Sequence, residues 1–137
     1  MKSLHTLLKV AQKRMDELGV EAVRLAQNID QLRMQEASIL AREETELALA
    51  GKDPSLATLL PAYRARVKLQ TGQVQLERAE KEAKLAEVRD LLNAAYQEKS
   101  KFEQLIEQEA IRAATERAAT DQAQLDEVAV NRAGFVK

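Results

Sequence analysis

Leu4, Leu8, Ala11, Met15, Leu18, Ala22, Leu25, Ile29 and Leu32 recur in alternating steps of four and three residues, with charged and polar side chains at most positions between them. A sustained 3.5-residue repeat is the seam of a coiled coil, narrower than the stripe of a helix lying on a globular core. Past Leu32 the regular rule lands on Glu36 and Glu43, whereas Leu40 and Leu47 sit one residue further on. A four-residue stutter after Leu32 and Glu36 would produce that offset, locally unwinding the far end of the first helix. A second seam reads Tyr63, Val67, Val74, Leu85, Val88, Leu92, Ala95, Phe102 and Ile106, with Gln70, Arg78, Lys81 and Lys99 at positions the same repeat would make apolar.

Between the two seams lies AGKDPSLATLLPAY, the one concentrated breaker signal. Gly51 suits a left-handed C-cap, Asp53 an N-cap and Pro54 a first helical position, so the chain reverses here. Pro61 would break a helix begun at Pro54, which makes residues 54–60 a separate short turn. The expected fold is all-α: a long two-helix antiparallel coiled-coil hairpin, with helices over 2–50 and 61–132, a turn over 51–60 and a tail over 133–137. Gly72 falls inside the second helix and is a candidate bend. At 1.5 Å per residue the helices would measure roughly 70 and 105 Å, so the second outlasts the first beyond about Ala110. Leu4 then lies near residues 102–107. In the overhang, AIRAATERAATDQAQ replaces large seam residues with Ala113, Ala114, Ala118, Ala119 and Ala123, which keeps helix propensity high and the surface slim. The stretch LDEVAVNRAGFVK then has no intramolecular partner. It is either a frayed end or a tip that contacts a partner.

Composition fits long helices better than a layered core: the 137 residues are 31% charged and 3% aromatic, with four Gly and two Pro. Lys and Arg total 21 against 22 Asp and Glu, without the basic excess of a nucleic-acid binder. The absence of Cys removes disulfides, thiolate metal sites and a Cys nucleophile, and suits a reducing compartment. MKSLHTLLKVAQKR is basic, but its apolar run is broken by His5 and Lys9 and it lacks a small-residue cleavage site. No window approaches about 18 uncharged apolar residues, so no direct membrane insertion is expected and the chain reads as cytoplasmic.

Chemistry is sparse. His5 is the single histidine, a helical pair offers it no cleft, and the four glycines are too scattered for a phosphate loop. The expectation is a non-enzyme with no catalytic, metal or cofactor-binding residues. Two charge clusters stand out, REETE (Arg42 to Glu46) and YRARVK (Tyr63 to Lys68), which antiparallel pairing brings side by side. Intramolecular ion pairing that fixes register is one account of them. The competing account makes Tyr63 and its basic neighbours a docking patch, with apolar surface at Leu40 and Leu47 beside it.

The opening SLHTLLKVAQKRMDEL, with Leu4, Leu7 and Leu8, and the closing LDEVAVNRAGFVK, with Asp126, Glu127 and Arg132, resemble the FliJ family of the bacterial flagellar type III export apparatus. The resemblance covers the whole chain in length and helical plan. Members of that family look like the coiled-coil shaft of the F-type ATPase gamma subunit. They stand at the centre of a hexameric export ATPase and link it to the membrane export gate, and some also bind export chaperones. The resemblance implies a stalk with those partners, cytoplasmic and peripheral at the inner face of the membrane export apparatus. It implies contacts with the ATPase ring at Leu4, Leu8, Leu125, Asp126, Glu127, Val128 and Arg132. Contacts with the gate's cytoplasmic domain or a chaperone would fall at Leu40, Leu47, Tyr63, Arg64 and Val67. The equivalent stalk of a virulence secretion system shares the plan. A generic adaptor built on one continuous helix would need to run through Gly51, Asp53, Pro54 and Pro61, and a prefoldin-like holdase would need strands that SLATLLP does not offer.

Overall fold

The structure, a computed structural model, describes residues 2–135, the side chain of Phe135 excepted. It is all-α. Helix α1 spans Lys2–Lys52, a 3-10 helix spans Pro54–Leu59 and helix α2 spans Leu60–Phe135, with no strand among the described residues. Ala, Leu, Glu, Gln, Lys and Arg, the strong helix formers, supply most of both helices.

The reversal is tighter than the sequence suggests. Gly51 is helical, no glycine among the described residues has a positive φ, and only Asp53 separates α1 from the 3-10 helix. A left-handed cap is unnecessary because Asp53 leaves the helix in an extended conformation, φ −128° and ψ 106°, and caps the following turn. Its Oδ1 accepts from the Ser55 backbone N–H at 3.0 Å and from Ser55 Oγ at 2.7 Å, while its carbonyl accepts from Leu56 N–H at 3.1 Å. Pro54 sits at the start of the 3-10 helix. Pro61 falls in the first turn of α2, where its missing N–H leaves no intrahelical bond unmade. At the other end α2 runs past Arg132 through Ala133 and Gly134; Val136 and Lys137 of the expected tail lie outside the described residues.

The chain forms two compact units. In the first, Asp16–Asn93, α2 runs back along α1. Its core is Leu25 and Ile29 of α1 against Leu85 and Val88 of α2, flanked by Leu18, Ala22 and Ala26. Leu32, Val67 and Val74 are also buried. Each helix hides one stripe, and the stripe on α1 keeps its four-three rhythm through Glu36, Ile39 and Glu43 before it reaches Leu47 and Ala50. Leu40 is 47% exposed, so the expected offset at residues 36–40 is corrected. Glu36 stays in the seam because α2 satisfies it there: Gln75 Nε2 donates to Oε1 at 2.9 Å and Arg78 Nη1 donates to Oε2. The extra four-residue step comes later, over Ile39, Glu43 and Leu47. On α2 the matching step runs over Tyr63, Val67 and Thr71, with Thr71 rather than Gln70 turned inward. Ile39 and Val74 line one pocket at one end of this stretch, and Ala50 and Tyr63 line another at its other end. The two stutters therefore lie opposite each other and the helices unwind together. The Thr71 hydroxyl is buried in this stretch without a hydrogen-bond partner among the described residues.

The second unit joins residues 2–15 with residues 94–135. Ala11 and Ala95 are buried, and Leu4, Leu8, Met15, Phe102 and Ile106 are half-buried. From Ala110 to Gly134 every side chain is exposed.

Two stability outcomes follow from this packing. A double-mutant cycle on Glu36→Ala and Arg78→Ala, followed by urea unfolding, is expected to show a coupling of about 1–2 kcal/mol, above that of a solvated ion pair because Glu36 is only 14% exposed. Gly72 lies within α2 and a Cβ there would meet nothing within 4 Å, so Gly72→Ala should raise stability by about 0.5–1 kcal/mol. A destabilised Gly72→Ala would show that the helix uses the glycine.

Candidate partner-binding surfaces

The reversal in the Asp16–Asn93 unit carries more apolar surface than a turn requires. Leu49, Leu56 and Leu59 are 49%, 37% and 64% exposed. Leu56 and Leu59, with Ala50, Leu60, Tyr63 and the charged Glu46 and Arg66, line an open groove of about 260 Å³. The short 3-10 helix produces this exposure: its six residues make two compact turns that bury none of their own side chains. Tyr63 is half-buried at the groove and Arg64 is exposed. Val67 is 6% exposed and packs in the helical pair, so it is a core residue and not part of an outward surface. Leu47 is half-buried in the seam, and Leu40 stands on the outside of α1.

Among the described residues no ion pair joins the Arg42–Glu46 cluster to the Arg64–Lys68 cluster, although Glu46 and Arg66 share the groove. The charges that bind the helices together lie deeper in the unit, where Arg33 Nη2 meets Glu82 at 3.4 Å and Arg78 meets both Glu36 and Glu82. The basic side chains at the reversal therefore keep their charge facing solvent. Sequence alone carried a signal for the groove, since SLATLL has three leucines in a segment with no helical seam to fill, but only the packing shows that Leu56 and Leu59 remain outside while Leu60 is half-buried.

In the other unit, Leu4 and Leu8 are half-buried in the seam, so much of their surface serves intramolecular packing. Leu125 and Val128 are 64% and 49% exposed, and Asp126, Glu127 and Arg132 are exposed around them. The tail is held helical by local pairs: Arg112 bridges Glu109 and Glu116, Gln122 Nε2 donates to Asp126 Oδ1 at 3.1 Å, and Thr115 and Thr120 donate to carbonyls one turn back. The hydrogen bond from Arg112 holds the Glu109 carboxyl below its usual range and keeps Arg112 protonated to higher pH.

No group of three or more His, Cys, Asp or Glu among the described residues converges on a metal-sized site, and no helix there is long and apolar enough to cross a membrane. No known protein family matches the chain, and no curated protein or solved structure is significantly similar to it.

The cap at the reversal yields a pH test. Hydrogen bonds from the Ser55 hydroxyl and then the Ser55 backbone hold the Asp53 carboxyl below its ordinary value. A carboxyl depressed on folding adds stability above its unfolded pKa, about 4, and loses it as pH falls through the folded value. Asp53→Ala should therefore lower the melting temperature at pH 7, and the gap to wild type should close as the pH is taken below 3. A gap that persists unchanged in acid would assign the effect to backbone propensity instead of the cap.

Proposed function

We propose that this chain is a non-enzymatic coupling protein whose exposed C-terminal helix seats in a ring of partner subunits while the reversal docks a second partner. In the setting that the FliJ resemblance implies, the ring is the hexameric flagellar export ATPase. The second partner is the cytoplasmic domain of the export gate, or an export chaperone. The protein then works at the inner face of the membrane export apparatus without inserting in the bilayer.

The observation that carries this reading is the run from Ala110 to Gly134, helical throughout and exposed at every side chain. A helix this long gains little from its own chain, and a strand-free, alanine-rich rod fits a narrow opening without large side chains to obstruct it. Leu125 and Val128 supply a modest apolar contact, while Asp126 and Glu127 beside them favour a cationic rim. The groove at Leu56, Leu59 and Tyr63 supplies a separate contact surface with exposed arginine at its edge. A stalk of a virulence secretion system would use the same two surfaces, and capture of the cognate ATPase separates the two.

Deleting residues 125–137 removes no buried side chain among the described residues, so helicity per residue and cooperative unfolding should be nearly unchanged. Stimulation of ATP turnover by the purified export ATPase should fall several-fold. Asp126→Ala with Glu127→Ala should alter the interaction in a salt-sensitive way, and Leu125→Ala with Val128→Ala should weaken it with little salt dependence. If the truncated chain stimulates as strongly as the intact one, the ring-seated tail is wrong.

A further inference from the structure

The exposed helix carries a stripe of its own, distinct from the seam that packs against α1. The inward residues of α2 end in Phe102, Ile106 and Glu109, and the next apolar series is Ile111, Ala114, Ala118, Leu125 and Val128. Stepping two residues from Glu109 to Ile111 rotates the stripe about 200° around the helix, so it does not prolong the intramolecular seam. Ile111, Leu125 and Val128 are 60%, 64% and 49% exposed. Including Asp121, the series runs in strict three-four alternation, and one further step of four at each end reaches Glu107 and Arg132. The stripe is thus closed by opposite charges and its spacing is the same read in either direction.

We propose that this stripe pairs with the same stripe of a second copy of the chain, antiparallel, with Ile111 opposite Val128, Ala114 opposite Leu125 and Glu107 opposite Arg132. Each large residue then meets a smaller or β-branched one, as interdigitating knobs and holes require. Asp121 falls opposite Ala118, one residue from Arg117 of the other copy. A parallel pair would set Asp121 on Asp121 and Arg132 on Arg132, which like-charge repulsion disfavours. Ion pairs inside the chain leave these groups available. Arg112 is occupied by Glu109 and Glu116, whereas Glu107, Arg117, Asp121 and Arg132 enter no ion pair among the described residues. Two alanines and one aspartate among the contact positions make the association weak, with a Kd on the order of 10–100 µM.

The inference stands apart from the export-apparatus reading, because it concerns the isolated chain and needs no ATPase. Sedimentation equilibrium of the full chain from about 5 to 300 µM should show a reversible monomer–dimer equilibrium. Leu125→Glu should weaken it more than tenfold with unchanged circular dichroism, since Leu125 is outside the seam. Glu107→Arg should weaken it several-fold by setting Arg on Arg132, and adding Arg132→Glu in the same chain should restore it. The chain has no cysteine. Single variants Ala114→Cys and Leu125→Cys, mixed and oxidised, should therefore form the mixed disulfide in preference to either like pair. A chain that stays monomeric across the range, or a dimer that Leu125→Glu does not disturb, overturns the proposal. Disulfides confined to like positions overturn its antiparallel sense. An intact chain that dimerises but does not stimulate the export ATPase would count against the ring reading alone.

Discussion

Glu36 meets Arg78 and Gln75 inside the seam, and the alignment of the two helices in the Asp16–Asn93 unit depends on that contact. Apolar side chains alone tolerate sliding by a heptad, because each layer resembles the next. A half-buried carboxylate does not, since a shift of one turn would leave it without its donors and charge it the desolvation cost of an unpaired ion. Arg78 also reaches Glu82, which meets Arg33, so one continuous polar network spans both helices on the flank of the core formed by Leu25, Ile29, Leu85 and Val88. Specificity of register comes from these charges, and cohesion from the leucines, isoleucine and valines.

With the register held, the irregular part of the pair becomes intelligible. Extra four-residue steps over Ile39, Glu43 and Leu47 on α1 and over Tyr63, Val67 and Thr71 on α2 would each misalign a seam on its own. Placed opposite each other they cancel, at the expense of a stretch in which Glu43 and the unpartnered Thr71 hydroxyl replace apolar layers. This looser stretch leads into the reversal, where the 3-10 helix closes the chain in few residues and leaves Leu56 and Leu59 in the open. A groove at the end of a helical pair is thus a by-product of how tightly the chain turns, and it becomes a surface a partner can use.

The exposed helix from Ala110 onward is governed by a different balance. Local ion pairs and alanine keep it helical, while nothing in its own unit covers it. Its large apolar residues are few, and Ile111, Leu125 and Val128 occupy the side away from the seam phase. Such a segment gains most from contact with another helix or another chain, and its charge pattern selects which contact. Pairing with a second copy and seating in a partner ring draw on the same side chains, so the first would give way to the second wherever the ring binds more tightly.

The helical class, the place of the reversal, the cap at Asp53 and most seam residues were legible in the sequence, because they follow from local rules: period, propensity and breaker chemistry act within a few residues. Leu40 against Ile39 and Gln70 against Thr71 were not, since Leu and Ile are comparably hydrophobic, the regular repeat lands on Gln70, and the place of a stutter is fixed only by the opposite helix. Glu36 and Arg78 each read as a flaw in its own seam, and only their meeting across the pair turns two flaws into one anchor. Val67 likewise belongs to the core, at the seam position its spacing from Tyr63 indicates, rather than to a docking patch. Helix content and helix limits were determined by the chain's own pattern, whereas the choice of buried layers, the placement of charge and the exposure of the leucines at the turn were decided by the facing helix, which selects by shape and charge at distances no local pattern encodes.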